Sequence, residues 1–119
     1  MASLTETMHA GAHALLAGMI GQDEETAISA AGTTQATATQ TKASISVVST
    51  VAASAGVILR SANGRSIELK LNTGANTLTV YPAIGEKMNG TTNGSVQIAT
   101  GKSALFVPHI NGWYSNISA

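Results

Sequence analysis

The stretch SIELKLNTGANTLTVYP, residues 66–82, predicts two short β-strands joined by a turn. Apolar and polar residues alternate in its first half, as they do in a strand with one buried and one exposed side. The small and polar residues 72–75 predict the turn, and Pro82 ends the second strand because it has no N–H to donate to a sheet. Glu68 is expected to face solvent or another subunit. The alternation separates an apolar set from a polar set: Ile67, Leu69 and Leu71 against Ser66, Glu68 and Lys70.

Short segments of the same kind lie on both sides of this stretch. They are rich in β-branched residues, and turn signals separate them at intervals of about ten residues. Asn63-Gly64 is a two-residue hairpin signal, and the polar loop after Pro82 is expected to cross to a second sheet. The pattern predicts a mainly β fold, a small antiparallel β-sandwich or jelly roll. The additional predicted strands are residues 45–51, 56–60, 96–98, 104–107 and 113–115.

The hydrophobic core of this domain is expected to be thin. The chain has 119 residues, which suits one compact domain, but it contains only one Trp, one Phe and two Tyr. Tyr81, Phe106 and Trp113 are the predicted large residues of the core. Charged residues make up 10% of the chain, so its surface is poorly protected against self-association. We therefore expect part of the surface to be covered by other copies or by a larger assembly.

Charge and cysteine content exclude several classes of function. The net charge is zero and the basic residues are spread out, whereas a nucleic-acid-binding protein needs a concentrated basic surface. The chain has no cysteine, which excludes disulfides and thiolate metal sites. The N-terminus has no basic segment followed by an apolar run, so neither a signal peptide nor a membrane span is expected.

Residues 1–42 are expected to form an appendage to a β-domain of residues 43–119. Residues 22–42 are rich in Ala, Thr, Gln and Ser, with no bulky side chain after Ile28. Two interpretations stay open for them: an extended linker, or an edge strand that pairs with a neighbour. Residues 3–20 predict a short helix that must dock on other surfaces, because a helix of this length is unstable alone. Its apolar stripe is the candidate partner-binding surface: Leu4, Met8, Leu15 and Met19.

His9 and His13 are the sharpest candidates for chemistry. A spacing of four residues places two imidazoles on one helix face, where a metal could be held. The residue after His9 is Ala10, however, and the zinc-protease pattern requires a glutamate there. We therefore interpret the pair as a polar helix face or a helix–helix contact, and expect no bound metal and no cofactor. Around a three-fold axis such histidines could also make assembly sensitive to pH.

The remaining candidates for catalysis are incomplete. His109 follows a proline in a predicted turn and has no activated nucleophile beside it. Lys102 lies in a Gly-Lys-Ser sequence, but Val96 occupies the place of the first glycine of a phosphate-binding loop. A glycosidase needs two carboxylates across a cleft, and Asp23, Glu68 and Glu86 give no sign of such a pair. The chain is therefore expected not to be an enzyme.

The run LKLNTGANTLTVYPAIGEKMNGTTNGSVQIATGKSALFVPHINGWYS, residues 69–115, resembles a module that recurs in virion proteins of tailed bacteriophages. The resemblance is carried by turn and core residues in an N-x-G-A-N-x-[LV]-T-V-Y-P strand and turn, an N-G hairpin, an A-x-G-K-S-A-x-F hairpin and a closing W-Y. The stretch before it, residues 27–59, resembles the lead-in of such proteins. The likeness extends over most of the chain.

This resemblance implies a structural virion component. Proteins of this kind include capsid decoration (cement) proteins and domains of tail fibres or spikes, and they are usually trimeric β-structures on the virion surface. The implied function is a homotrimer that clamps neighbouring subunits of the major capsid protein, on the capsid surface, after assembly in the host cytoplasm. Two alternatives stay open: a glycan-binding host-recognition module of a tail fibre or spike, and a tail or neck connector protein.

Overall fold

The computed structural model describes residues 23–118, which form eleven β-strands in two sheets and contain no helix. One sheet has seven strands in the order β1-β3-β5-β10-β11-β7-β8, and the other has four in the order β2-β4-β6-β9. The strands are β1 (Glu24–Ala30), β2 (Thr39–Gln40), β3 (Ile45–Val51), β4 (Gly56–Ile58), β5 (Glu68–Asn72), β6 (Leu78–Tyr81), β7 (Lys87–Met88), β8 (Thr91–Thr92), β9 (Val96–Ile98), β10 (Ser103–His109) and β11 (Gly112–Ile117).

The first six strands alternate between the two sheets, so the chain winds as a coil with one strand per sheet in each turn. Strands β1, β3 and β5 are parallel neighbours in the larger sheet, and β2, β4 and β6 are parallel neighbours in the smaller one. Strand β9 pairs antiparallel with β6, while β10 pairs antiparallel with both β5 and β11. The result is a β-solenoid closed at one end by an antiparallel hairpin.

The mainly β fold is confirmed, but the prediction of an antiparallel sandwich or jelly roll is wrong. Five of the nine strand pairings are parallel. Asn63-Gly64 does not form a two-residue hairpin, because the strands on either side of it, β4 and β5, belong to different sheets. Short strands with frequent turns fit the sides of a coil as well as they fit hairpins. The helix predicted in residues 3–20, with its apolar stripe and both histidines, lies outside the described residues.

The core lies between the two sheets. Phe106 and Trp113, two of the three predicted large core residues, are fully buried there. Tyr81 differs from this expectation, because Leu78 and Val80 occupy the inward positions of β6. It is half-buried on the outside of the smaller sheet, where its hydroxyl donates to the Thr33 carbonyl at 3.3 Å. The other main core residues are Val48, Val57, Leu59, Met88 and Ile98.

The loop after Pro82 crosses from the smaller sheet to the larger one, between β6 and β7. Glu86 fixes the end of this crossing. Its buried carboxylate accepts hydrogen bonds from the Ala62 N–H, at 2.9 Å, and from the Ser61 hydroxyl. Tyr81 and Pro82 therefore lie at the end of a strand, where the chain changes sheets.

Residues 23–42 contribute to the same two sheets. Strand β1 is an edge of the larger sheet and β2 an edge of the smaller one. The Ile45 N–H donates to the Asp23 carbonyl at 2.8 Å, and Ala30 is buried in the core. The Thr39 hydroxyl ties the segment together, because it accepts from the Ala31 N–H and donates to the Ser29 carbonyl.

Deleting residues 1–42 is expected to lower the melting temperature by several degrees relative to deleting residues 1–22. Only the longer deletion removes β1, β2 and Ala30, and it exposes the unpaired edges of β3 and β4. Differential scanning calorimetry of the two truncated chains measures the difference. Equal midpoints would show that β1 and β2 add nothing to the stability of the coil.

Candidate functional site

Strand β5 places its polar residues inside the protein. Glu68 is 1% exposed, Lys70 is 0% exposed and Asn72 is equally buried, while Leu69 and Leu71 lie on the outside and are half-buried. The alternation seen in the sequence is real, but its orientation is the reverse of the expected one. The expectation that Glu68 faces solvent or a subunit is wrong, because two cations reach its carboxylate within the fold.

Glu68 is the centre of a buried charge cluster formed by Arg60, Glu68 and Lys70. Glu68 Oε2 accepts from Arg60 Nη2 at 2.9 Å and from Arg60 Nε at 3.2 Å. Lys70 Nζ lies 2.9 Å from the other oxygen, Oε1, without the alignment of a hydrogen bond. An isolated charge in a protein interior is costly, so each ion here depends on its partners.

The two cations also hold the segment that leads into β3. Lys70 Nζ donates to the Ala43 carbonyl at 2.8 Å and to the Ser46 hydroxyl at 2.9 Å. Arg60 Nη1 donates to the Lys42 carbonyl at 3.2 Å. Burial lowers the pKa of Lys70 below its ordinary value of 10.5, and the Glu68 carboxylate opposes this shift. The cluster therefore joins β5 to residues 42–46 across the start of the parallel pair.

The geometry gives this cluster a structural role. A catalytic lysine or carboxylate must reach a substrate, whereas Lys70 and Glu68 are enclosed on all sides. Glu86 is buried as well and is held by Ser61 and the backbone of Ala62, so the two carboxylates do not flank a cleft. Asp23 lies exposed beside the edge strand β1.

Removing two members of the cluster together is expected to cost less than the sum of the costs of removing each one alone. Lys70→Met leaves Glu68 with a single cation, and Glu68→Gln leaves two buried cations without their anion. Each change is expected to lower the free energy of unfolding by about 3–5 kcal/mol. The double variant should lose clearly less than the sum of the two single losses. Urea unfolding of the four proteins gives this coupling, and strict additivity would contradict the cluster.

Lys70 is also expected to make stability depend on pH. Its pKa is lower in the folded state than in the unfolded state, so the unfolded chain binds more protons in the interval between the two values. Stability should therefore rise with pH across that interval, up to about 10.5. Lys70→Met should lack this rise, which urea unfolding at a series of alkaline pH values would detect. Parallel pH curves for the two proteins would contradict the lowered pKa.

The outside of the larger sheet carries aliphatic side chains in rows. Ile45, Leu69 and Leu105 lie opposite one another across β3, β5 and β10, and Val47 lies opposite Leu71 in the next outward row. Their neighbours along each strand are buried, which places these five side chains on the outer side. The outer apolar face is defined by these residues: Ile45, Val47, Leu69, Leu71 and Leu105.

A small depression lies on the same side of the sheet, farther along β10 and β11. Its volume is about 190 Å³, and it opens to solvent. Ile110 is 79% exposed and Tyr114 is 50% exposed at its rim. The rings of His109 and Tyr114 meet edge to face, with centroids 5.6 Å apart and planes at 83°. The terminal depression is lined by Lys87, Gly90, His109, Ile110, Gly112, Trp113 and Tyr114.

The other candidates from the sequence lie apart from these surfaces. Lys102 is exposed in the turn between β9 and β10, and residues 23–118 offer no helix N-terminus of the kind that a phosphate-binding loop uses. Residues 23–118 contain no group of three His, Asp or Glu side chains placed to hold a metal ion. Within the same residues, no helix is long and apolar enough to cross a membrane. Leu4, Met8, Leu15, Met19 and the two N-terminal histidines precede the described part of the chain.

Sequence reasoning missed both the charge cluster and the depression. The signal for the cluster was the spacing of Glu68, Lys70 and Asn72, which places three polar side chains on one side of a strand. The depression depends on Lys87 and Tyr114, which are brought together only by the pairing of β7 with β11. Comparison with protein-family models, curated proteins and solved structures finds no match.

Proposed function

We propose that this chain is a structural virion protein, a capsid decoration (cement) protein that clamps neighbouring major capsid subunits as a homotrimer. The observation that carries the proposal is the outer apolar face. Five aliphatic side chains lie in rows on the outside of a sheet while three charged or polar residues of β5 are buried inside. Contiguous apolar surfaces of this kind mark contacts with other proteins.

Self-association accounts for this arrangement. Packing the outer apolar faces of three copies around a three-fold axis, where each copy contacts both of its neighbours, removes aliphatic surface from water, with a gain of roughly 25 cal/mol per Å² buried. The surface carries few charges that would have to be desolvated, since charged residues make up 10% of the chain. Copies of this chain are thus suited to pack together through the larger sheet.

Multivalency would make the attachment of a trimer to a capsid stable. A trimer presents three copies of each contact, so modest individual contacts combine into slow dissociation. The stripe of Leu4, Met8, Leu15 and Met19 is the proposed contact with the major capsid protein. Several such side chains would each contribute about 1.5–3 kcal/mol if fully buried. The resemblance of residues 69–115 to phage virion modules supports the same function.

A host-recognition module is the second candidate. The observation that favours it is the terminal depression, where a half-exposed aromatic ring stands beside a lysine. Half-exposed aromatic rings of this kind are suited to binding sugars. The copy number in the particle separates the two candidates, because decoration requires hundreds of copies and a tail component requires few.

Leu69→Glu is expected to convert the trimer into a monomer. The substitution places a charge in the middle of the outer apolar face, where a second copy would have to desolvate it. Multi-angle light scattering after gel filtration measures the mass, and co-sedimentation with undecorated capsids measures attachment, which should fall with the loss of trivalency.

Ile84→Glu is the matched control. Ile84 is 67% exposed in the loop between β6 and β7, so the same change there should alter neither mass nor attachment. A cooperative melting transition in both variants shows that each is folded. A wild-type monomer at micromolar concentration, or a trimer that survives Leu69→Glu, would contradict the proposal.

A further inference from the structure

The terminal depression includes a glycine that lies between two residues with long side chains. Gly112 of β11 is opposite His109 on β10 and opposite Lys87 on β7, so the three residues form one row across three strands. A Cβ at Gly112 would lie 2.7 Å from the Lys87 carbonyl oxygen and 2.9 Å from the Lys87 Cβ. Only glycine allows this close approach of β7 to β11, and the depression lies along this row, with the histidine and the lysine among its lining residues.

Aromatic and aliphatic groups form the wall of the terminal depression. Tyr114 lies two residues beyond Gly112 on the same side of β11, and half of its surface is open to solvent. Its ring stands nearly perpendicular to that of His109, in the edge-to-face arrangement that aromatic pairs favour. Trp113 points to the other side of the sheet, where its Nε1 donates to the Arg60 carbonyl at 3.3 Å. The wall is therefore fixed from both sides of the strand.

The lining of the depression contains a basic residue and no acidic one. The basic residue, Lys87, is exposed at the edge of the depression. Glu86, the neighbour of Lys87 in the chain, is turned inward and is held by Ser61 and Ala62. Within residues 23–118, no acidic side chain forms an ion pair with Lys87. The depression is consequently matched to an anion.

We propose that the terminal depression binds one carboxylate-bearing sugar residue of an acidic polysaccharide. The open ring of Tyr114 receives the C–H face of the pyranose, and the Lys87 ammonium pairs with the carboxylate. The His109 imidazole is placed to hydrogen-bond a hydroxyl. The volume of about 190 Å³ lies below the roughly 300–1,000 Å³ of complete small-molecule sites. It therefore suits a single sugar unit of a longer chain that continues into solvent.

This site does not depend on the proposed assembly on a capsid. Tyr114 and Lys87 lie beyond the outer apolar face, which occupies β3, β5 and the first half of β10. Variants of the depression should accordingly leave the oligomeric mass unchanged. Failure of trimer formation and failure of sugar binding are separate results.

The test is a titration of the full chain with two oligosaccharides of equal length, an oligogalacturonate and a neutral oligogalactose, followed by calorimetry and by saturation-transfer NMR. We expect the acidic oligosaccharide to bind with a dissociation constant at least roughly tenfold lower than that of the neutral one. The neutral ligand has no carboxylate, so it lacks the charged hydrogen bond to Lys87. Lys87→Met should weaken the acidic ligand by a similar factor and leave the neutral one unchanged. Tyr114→Ala should weaken both.

Arg65→Met is the matched control, because Arg65 is an exposed cation in the loop between β4 and β5, outside the depression. It should not change binding, and all three variants should melt as the wild type does. Equal binding of the two oligosaccharides, or equal losses from Lys87→Met and Arg65→Met, would overturn the proposal. The proposal would also be overturned if neither sugar binds. If an oligoglutamate binds as well as the acidic sugar, and Tyr114→Ala does not change its binding, the site is a simple anion contact and the proposal of a sugar site is wrong.

Discussion

The burial of Glu68 between Arg60 and Lys70 is the constraint on which the rest of the structure depends. Charges inside a protein must be paired, and the partners of these three come from β5, from the connection between β4 and β5, and from residues 42–46. A shift of β5 by one residue would turn Leu69 and Leu71 inward and carry the cluster out to solvent. The cluster therefore fixes which side of the sheet is the inside. Buried ion pairs add little to stability compared with apolar residues, but breaking one is costly. The main effect of this cluster is therefore to favour one register of β5 over the others.

The outer apolar face is the other consequence of that orientation. Because β5 alternates, placing Glu68, Lys70 and Asn72 inside obliges Leu69 and Leu71 to lie outside. Strands β3 and β10 bring Ile45, Val47 and Leu105 beside them, so the half-buried leucines become part of a continuous surface. A single misplaced leucine would need no explanation, but rows across three strands do. The same constraint that orders the inside thus places apolar side chains on the outside, and this links the charge cluster to the proposed assembly.

Local patterns predicted the longer strands after residue 43 well, missed the two-residue strands β7 and β8, and predicted the arrangement of the strands poorly. The β-branched run at residues 45–51 and the segment at 96–98 coincide with β3 and β9, because these signals depend on neighbours in the chain. The side of β5 that faces inward could not be predicted, since alternation defines two sides without saying which is buried, and the deciding partner, Arg60, comes from elsewhere in the chain. The parallel winding could not be predicted from the sequence either, because Asn63-Gly64 permits a turn inside a long connection as readily as a hairpin. The row of Lys87, Gly112 and His109 exists only through pairing between distant segments.

The outer apolar face and the terminal depression lie on the same sheet, so packing through the first also fixes the position of the second. A depression that holds a single sugar unit binds weakly by itself, because its contacts are few and association costs translational and rotational freedom. If copies of the chain pack through the outer apolar face, their depressions are held at fixed distances on the same sheets. A polysaccharide with repeated acidic units can then engage several of them at once, and each further contact forms at a high effective concentration. Self-association would in this way turn a weak subsite into a useful one without any additional contact, provided that the spacing of the depressions matches the repeat of the polymer.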